Sequence, residues 1–510
     1  MKKLFPLLLF LLTAVSTTAQ ETYFQENGIW YRVLTSAAQK SYDASHNEVA
    51  VTRPQVSPGK YADGSKIYVP STVTHDSKTY TVTYIDDRAF ADTKLDSLAL
   101  PPSILKSEER ILEGAKLKHF HTPENLEILP AYFIWAGEID ELWLSPKVKE
   151  IGTYAFALTP IKRVHGLAQT KLERFGSESY FGLAACFYNY KYLPVADQAA
   201  YINDLSALPP TVRIIGAMAL NGGNIGDPQL PISNYTIPAI MEKIGDNNFE
   251  VSDRVTVPHT TPFILGINAF GTQATLKIFV PTDCSVSYKT ATNWSSYSDK
   301  FREEVKVGSA GYTTYYLENE NFLVPAGCTA YIITGITPSG SIMTPDQAQV
   351  TVFTAGKIIP KQTGFILQGT ANSTIEYQAN VTGTEESVTG NLLIGTATEQ
   401  EFNASGYKYY IFSNNGDEGL GFYKQGTRNG ASIKLGAQRA GLRLPEAIAP
   451  AKGFTIDFES ARKEAETTGI RDVRPTVQPR ENVIYDLQGR RVMNPGRGIY
   501  IVNGKKVVRE

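Results

Sequence analysis

Ile151-Gly152-Thr153-Tyr154-Ala155-Phe156 decides how this chain reads, because its spacing of a first apolar anchor and a bulky second anchor five positions on keeps returning. The same spacing joins Ile85 to Phe90, Ile128 to Phe133, Phe175 to Tyr180, Ile215 to Leu220, Ile244 to Phe249 and Leu265 to Phe270. Glycine follows the first anchor at positions such as Gly152, Gly176, Gly216, Gly245 and Gly266, where it allows a tight turn. Alanine precedes the second at Ala89, Ala155 and Ala269, where it allows close stacking. Downstream, apolar residues alternate and run into proline, as in Leu98 and Leu100 before Pro101, Phe120 and Thr122 before Pro123, or Val255 and Val257 before Pro258. Period two predicts a strand, and proline ends its ladder. Units recur every ~20 to 24 residues, a solenoid period. One such unit cannot bury its own apolar side, so neighbours must stack into a continuous core.

Flanking these repeats are a lead-in, Ser65-Lys66-Ile67-Tyr68-Val69-Pro70-Ser71-Thr72-Val73 with Lys78-Thr79-Tyr80-Thr81-Val82, and a closing segment, Tyr288-Lys289-Thr290-Ala291-Thr292-Asn293-Trp294. Taken together, residues 21 to 305 resemble the BspA-like leucine-rich repeat family of secreted and surface proteins. The resemblance implies an N-terminal β cap over 20–81, a leucine-rich repeat solenoid over 82–305 and a closing helix near Tyr288. Two places depart from the family pattern. Residues 105 to 115 form a degenerate unit, and 182–210 insert Cys186-Phe187-Tyr188-Asn189-Tyr190-Lys191-Tyr192 and a predicted helix from Val195 to Leu205.

Beyond the solenoid, short alternating strands such as Thr329-Ala330-Tyr331-Ile332-Ile333 predict a β-sandwich-like module over 311–458. Through Phe322-Leu323-Val324-Pro325-Ala326-Gly327, Ile359-Pro360-Lys361-Gln362-Thr363-Gly364 and Ala449-Pro450-Ala451-Lys452-Gly453-Phe454 that region resembles a module common in Gram-negative gut and oral anaerobes, and the resemblance implies architecture only. A charged linker, 459–480, leads to a β segment, 481–510, with Val483 to Val492 and Ile499 to Val502 around Pro495-Gly496. This tail resembles the C-terminal sorting segments of proteins exported by the type IX secretion system. The fold class expected is therefore mainly β: solenoid, β-sandwich-like module and short C-terminal β segment.

At the other end, Met1-Lys2-Lys3, the apolar run Leu4 to Val15 and the small residues Ser16-Thr17-Thr18-Ala19 predict a signal peptide over 1–19, and with it export. That run is shorter than the roughly 20 residues a transmembrane helix needs, so no transmembrane segment is expected in the mature chain. A net charge of -2 with 20% charged residues points to neither nucleic acid nor an anionic membrane as partner. Cys186, Cys284 and Cys328 are odd in number and far apart, which suits small buried apolar groups better than a disulfide framework.

Catalytic signatures are missing from the sequence. There is no HExxH and no GxSxG, and Gly390-Asn391-Leu392-Leu393-Ile394-Gly395-Thr396 lacks the lysine of a phosphate loop. His119 and His121 would share one strand face, as a metal site needs, but they flank Phe120 in a repeat strand and read as exposed strand residues. No enzyme activity, cofactor or metal is expected. Aromatic clusters are the better candidates, because flat rings hold sugars and peptides. Tyr132, Phe133, Trp135 and Trp143 crowd one repeat, and Tyr188, Tyr190 and Tyr192 would line one strand face. Trp135, Trp143, Tyr188, Tyr190 and Tyr192 are the predicted binding residues, with core packing as their competing role. The function expected is a non-catalytic secreted or cell-surface adhesion protein whose solenoid face meets a host protein, a matrix component or a glycan. The alternatives are a glycan-binding accessory protein of a polysaccharide-uptake system and a hydrolase with its site in 311–458.

Overall fold

The computed structural model describes residues 21–176, 194–199, 208–220, 230–338, 346–416, 419–449 and 454–463, and in the tail 484–485, 491–492, 496–502 and 505–509. The chain is mainly β, a solenoid followed by further β segments. At its N-terminus the hairpin Tyr23–Glu26 and Ile29–Val33 pairs with Glu48–Thr52, which runs parallel to Lys78–Ile85. The far end of Lys78–Ile85 pairs with Lys106–Ser107, so the cap passes its ladder directly to the repeats. Three buried charged residues hold it. Arg32 donates to the Asp86 carboxylate through Nε at 2.8 Å and Nη2 at 2.5 Å, and the Glu48 carboxylate accepts from the Thr83 hydroxyl and the Ser41 and Tyr42 amides.

From there the chain winds with two-residue parallel ladders joining rung to rung: Ile128–Leu129, Glu150–Ile151, Arg174–Phe175, Ile214–Ile215, Lys243–Ile244 and Ile264–Leu265. Phe175 pairs with Ile215, so the ladder continues across the 182–210 insertion. Residues 195–199 of the insertion are helical. The second anchors Phe90, Phe133, Phe156, Leu220, Phe249 and Phe270 are all buried in one continuous core. Tyr180 lies outside the described residues.

One anchor is corrected by the structure. Ile128 is 54% exposed while Leu129 is fully buried opposite Ile151. Both residues have an apolar partner five positions on, Phe133 or Ile134, so spacing alone does not choose between them. The ladder does, and a slip of one residue turns a side chain to the other face.

The glycines act differently from expectation as well. Gly176 has a left-handed φ of 69°, but Gly152, Gly245 and Gly266 do not. A Cβ on Gly152 would lie 2.6 Å from the Ala131 amide nitrogen, and one on Gly245 or Gly266 would meet the backbone of Ala217 or Asp246. These glycines let adjacent rungs approach. The left-handed turn positions are filled instead by Arg88, Arg110, Tyr132 and Tyr154, each one repeat from the next.

A helix at Ser285–Thr290 and a 3-10 turn at Trp294–Tyr297 close the solenoid end, as the resemblance implies. Trp294 is fully buried and its indole Nε1 donates to the Phe263 carbonyl at 2.9 Å. The next strand, Phe301–Lys306, pairs on one side with Lys277–Phe279 and on the other with Thr374–Gln378, binding the solenoid to the C-terminal strands. Beyond it stands a nine-stranded sheet whose edge strands are Tyr312–Tyr315 and Leu393–Thr396. Ala330 and Ile332 face one apolar cluster, and Tyr331 and Ile333 face another. Tail strands Ile484–Tyr485, Arg491–Val492, Gly498–Val502 and Lys505–Arg509 make a separate four-stranded antiparallel sheet. Cys284 and Cys328 are free thiols, and Cys186 lies outside the described residues. No helix among the described residues is long and apolar enough to cross a membrane.

Candidate binding surface

Three parallel strands, Lys116–His121, Glu138–Trp143 and Ile161–His165, form one flank of the solenoid. Each turns two apolar residues inward: Leu117 and Phe120, Ile139 and Leu142, Ile161 and Val164. Because the inward pair is three apart, each strand shows the outside two neighbouring residues and then, after the second anchor, one more. His119 and His121 therefore both face outward, as strand spacing requires.

Parallel register then stacks equivalent residues. Glu141 stands between His119 and Arg163, and Trp143 between His121 and His165. The rings of the second row lie face to face. His121 and Trp143 have centroids 4.5 Å apart at 7°, and Trp143 and His165 are 4.4 Å apart at 14°. Both faces of the Trp143 indole are thus covered, and the row presents ring edges. Glu141 sits 3.5 Å from His119 Nδ1 and 3.6 Å from His165 Nε2. Lys116 pairs with Glu138 at 2.6 Å, and Lys162 with Asp140 at 2.9 Å. The surface is a checkerboard in which an acidic strand lies between two basic ones. Burial, then the neighbouring His119 and His165, hold His121 below the ordinary imidazole value, which favours its neutral form at pH 7. No group of three or more metal-ligating side chains is assembled among the described residues.

Trp135 lies elsewhere. It packs with Tyr154 against Ala157 and meets the Tyr132 ring edge-on at 5.9 Å. Tyr132 stacks on Tyr154 at 5.3 Å, and the Arg110 guanidinium lies 5.2 Å from the Tyr132 ring and 5.7 Å from Trp135. The aromatic crowd of this repeat is therefore divided: Phe133 in the core, Tyr132 and Trp135 on the turn side, Trp143 on the strand side. Tyr188, Tyr190 and Tyr192 lie outside the described residues. Sequence reading missed Glu141 and His165 on the strands and Arg110 and Tyr154 on the turns. His121, Trp143 and His165 are each one repeat apart, so the repeat step applied to polar residues would have found the row.

A family model for the BspA type leucine rich repeat region matches residues 66–184 in 6 copies. Solved structures to which the chain is similar include a leucine-rich repeat protein from Bacteroides ovatus ATCC 8483, at 15% identity over 51% of this chain and 74% of that one, with a TM-score of 0.25. Another is the pneumococcal vaccine antigen PcpA, at 15% identity over 51% and 82%, TM-score 0.21. A third is a leucine rich cell surface protein from Faecalibacterium prausnitzii A2-165, at 13% identity over 50% and 76%, TM-score 0.21. No curated protein matches the chain. Residues 66–184 are thus similar to a BspA type leucine rich repeat region, and the parallel ladder runs on from them as far as Leu265.

Proposed function

We propose that this is a non-catalytic secreted or cell-surface protein that binds a protein partner through the strand flank carrying His121, Trp143 and His165. The observation that carries the reading is the in-register ring row beside Glu141 and the Lys–acid pairs. A sugar platform needs an open ring face, and Trp143 has none. An edge-on row between alternating charges instead suits the polar, uneven surface of a protein from a host or its matrix. Repeat stacking supplies such a face without a catalytic centre. The signal-peptide pattern of residues 1–19 supports export, and the separate tail sheet supports a type IX sorting role for 481–510.

Arrays of host proteins, matrix proteins and glycans probed with the mature full-length chain test this. A protein ligand is expected, with Trp143→Ala weakening its binding about tenfold or more while the melting temperature changes little. Unchanged binding in both Trp143→Ala and Glu141→Lys, or hydrolysis of an arrayed polymer, would overturn the proposal.

A further inference from the structure

A cleft of about 510 Å³ opens in the nine-stranded sheet region, where Tyr312–Tyr315 approaches Tyr407–Gly416, Ile433–Leu435 and Arg439–Pro445. Its size is that of a small-ligand site. Three cations line it, Lys306, Lys434 and Arg439, and no carboxylate does. Lys434 is paired with Glu399 at 2.6 Å, outside the lining. Arg439 spends its guanidinium on neutral partners, the Thr313 hydroxyl and the Thr314 carbonyl at 3.1 Å. Neither Arg439 nor Lys306 forms a side-chain ion pair among the described residues. A half-buried guanidinium held in place by neutral oxygens lacks a counter-ion, and an anion entering the cleft would supply one.

The opposite wall narrows the ligand. Tyr312, Phe412 and Leu420 make it apolar, and the first two rings meet edge to face at 6.4 Å. At the rim Gln425 is fixed by two bonds to the Lys434 backbone, accepting from its amide at 2.8 Å and donating to its carbonyl at 3.2 Å. Ser309 and Asn414 add hydrogen-bonding groups. A ligand that matches all of this has a carboxylate for the planar guanidinium fork, one apolar face for the rings and hydroxyls for the rim. Those are the features of a sugar acid.

We propose that this cleft is a binding site for a hexuronic-acid-type saccharide of one or two residues, with Arg439 taking the carboxylate and Lys306 adding charge at the mouth. The site is separate from the strand flank of the solenoid and does not depend on that reading.

Calorimetric titration of the mature full-length protein with glucuronate, methyl glucoside and acetate tests it. Glucuronate is expected to bind, and methyl glucoside and acetate to bind at least about tenfold more weakly, since each lacks one half of the recognised chemistry. Arg439→Gln and Lys306→Gln should each weaken glucuronate binding, about tenfold or more for the first and less for the second. Arg439 also ties two strands together, so Lys306→Gln, at an exposed strand end, gives the answer if the arginine variant misfolds. No glucuronate binding at about 10 mM, equal binding of methyl glucoside or acetate, or undiminished binding in Lys306→Gln would overturn the proposal.

Discussion

The strand flank of the solenoid and the junction at Phe301–Lys306 both gather charged side chains, and they treat them in opposite ways. On the flank, Lys116, Glu138, Asp140 and Lys162 pair across neighbouring strands and stay in contact with water. At the junction, Glu303 and Glu320 are almost fully buried, and Asp283 nearly so. Glu303 Oε2 accepts from the Tyr377 hydroxyl at 2.6 Å and the Asp283 amide at 2.9 Å, and Tyr377 lies 2.9 Å from the Tyr315 hydroxyl. Glu320 Oε1 accepts from the Val286 amide at 3.3 Å. The Asp283 carboxylate is satisfied by the Glu318 and Asn319 amides. Two buried oxygens, Glu303 Oε1 and Glu320 Oε2, receive no donor. The Glu303 and Glu320 carboxyls interact with each other, the Ser285 hydroxyl lies beside Glu320, and burial favours the protonated form of both acids, so a proton shared between the two would supply a missing donor. Exposed pairs of the first kind contribute ~0 to 1 kcal/mol each. Removing one partner of a buried polar group costs more, so the junction is where charge decides stability.

The largest effect expected lies in the solenoid core. Phe156 and Phe270 are fully buried second anchors, and Phe→Ala at either should cost about 3 to 5 kcal/mol in chemical denaturation. Losses under about 1 kcal/mol at both would mean that the rungs do not share one core. Gly152→Ala comes next, at about 1 to 3 kcal/mol, because its Cβ meets the Ala131 backbone rather than a yielding side chain. If that variant is as stable as the parent, the close approach of the rungs is wrong.

Those core positions were legible because each rung repeats the demand of the one before. Ile151 and Phe156 sit in a pattern that six further units restate, so a single misplaced anchor, Ile128, leaves the solenoid intact. The aromatic site was only partly legible. Tyr132, Phe133, Trp135 and Trp143 are close in sequence, but a rung turns through several directions over that length and sends them to the turn side, the core and the strand side. The junction was not legible at all. Asp283, Glu303, Glu320 and Tyr377 follow no period, and only the antiparallel pairing of Phe301–Lys306 with Thr374–Gln378 brings Tyr377 opposite Glu303.

A pH series separates the two regions directly. Burial first, and the Glu320 carboxyl second, push Glu303 well above the usual carboxylate range, and burial raises Glu320 too. The other titratable groups around the pair are Asp283, Cys284, Tyr315, Tyr377 and Lys289, whose ammonium is held by the Ala379 and Asn380 carbonyls. An acid raised on folding contributes stability that is fully present below its unfolded pKa of about 4.3 and is lost as pH rises through the folded value. Stability should therefore fall as pH rises above about 4.3, with a slope approaching about 1.4 kcal/mol per pH unit until the folded value is reached. Glu303→Gln supplies a permanent N–H to Glu320, so its stability should be flatter with pH and at neutral pH no lower than the parent's. An equally steep slope in Glu303→Gln would show that the pair holds no shared proton.

The smallest stability effect is expected at the tail, where the consequence is cellular. Its four strands pair only with one another among the described residues, and no tail strand extends the nine-stranded sheet. An isolated small sheet adds little to the stability of a separate core. Deleting residues 481–510 should therefore leave the melting temperature and the Glu303 pH slope unchanged. Under the sorting proposal the truncated protein folds, crosses the inner membrane and stays in the periplasm, which fractionation reads directly. Should the shortened chain still reach the cell surface, the sorting role fails while the fold stands. Should it lose the cooperative unfolding of the 311–458 region, the tail belongs to that module, and the contrast between a periodic solenoid and a junction assembled from distant residues extends to the end of the chain.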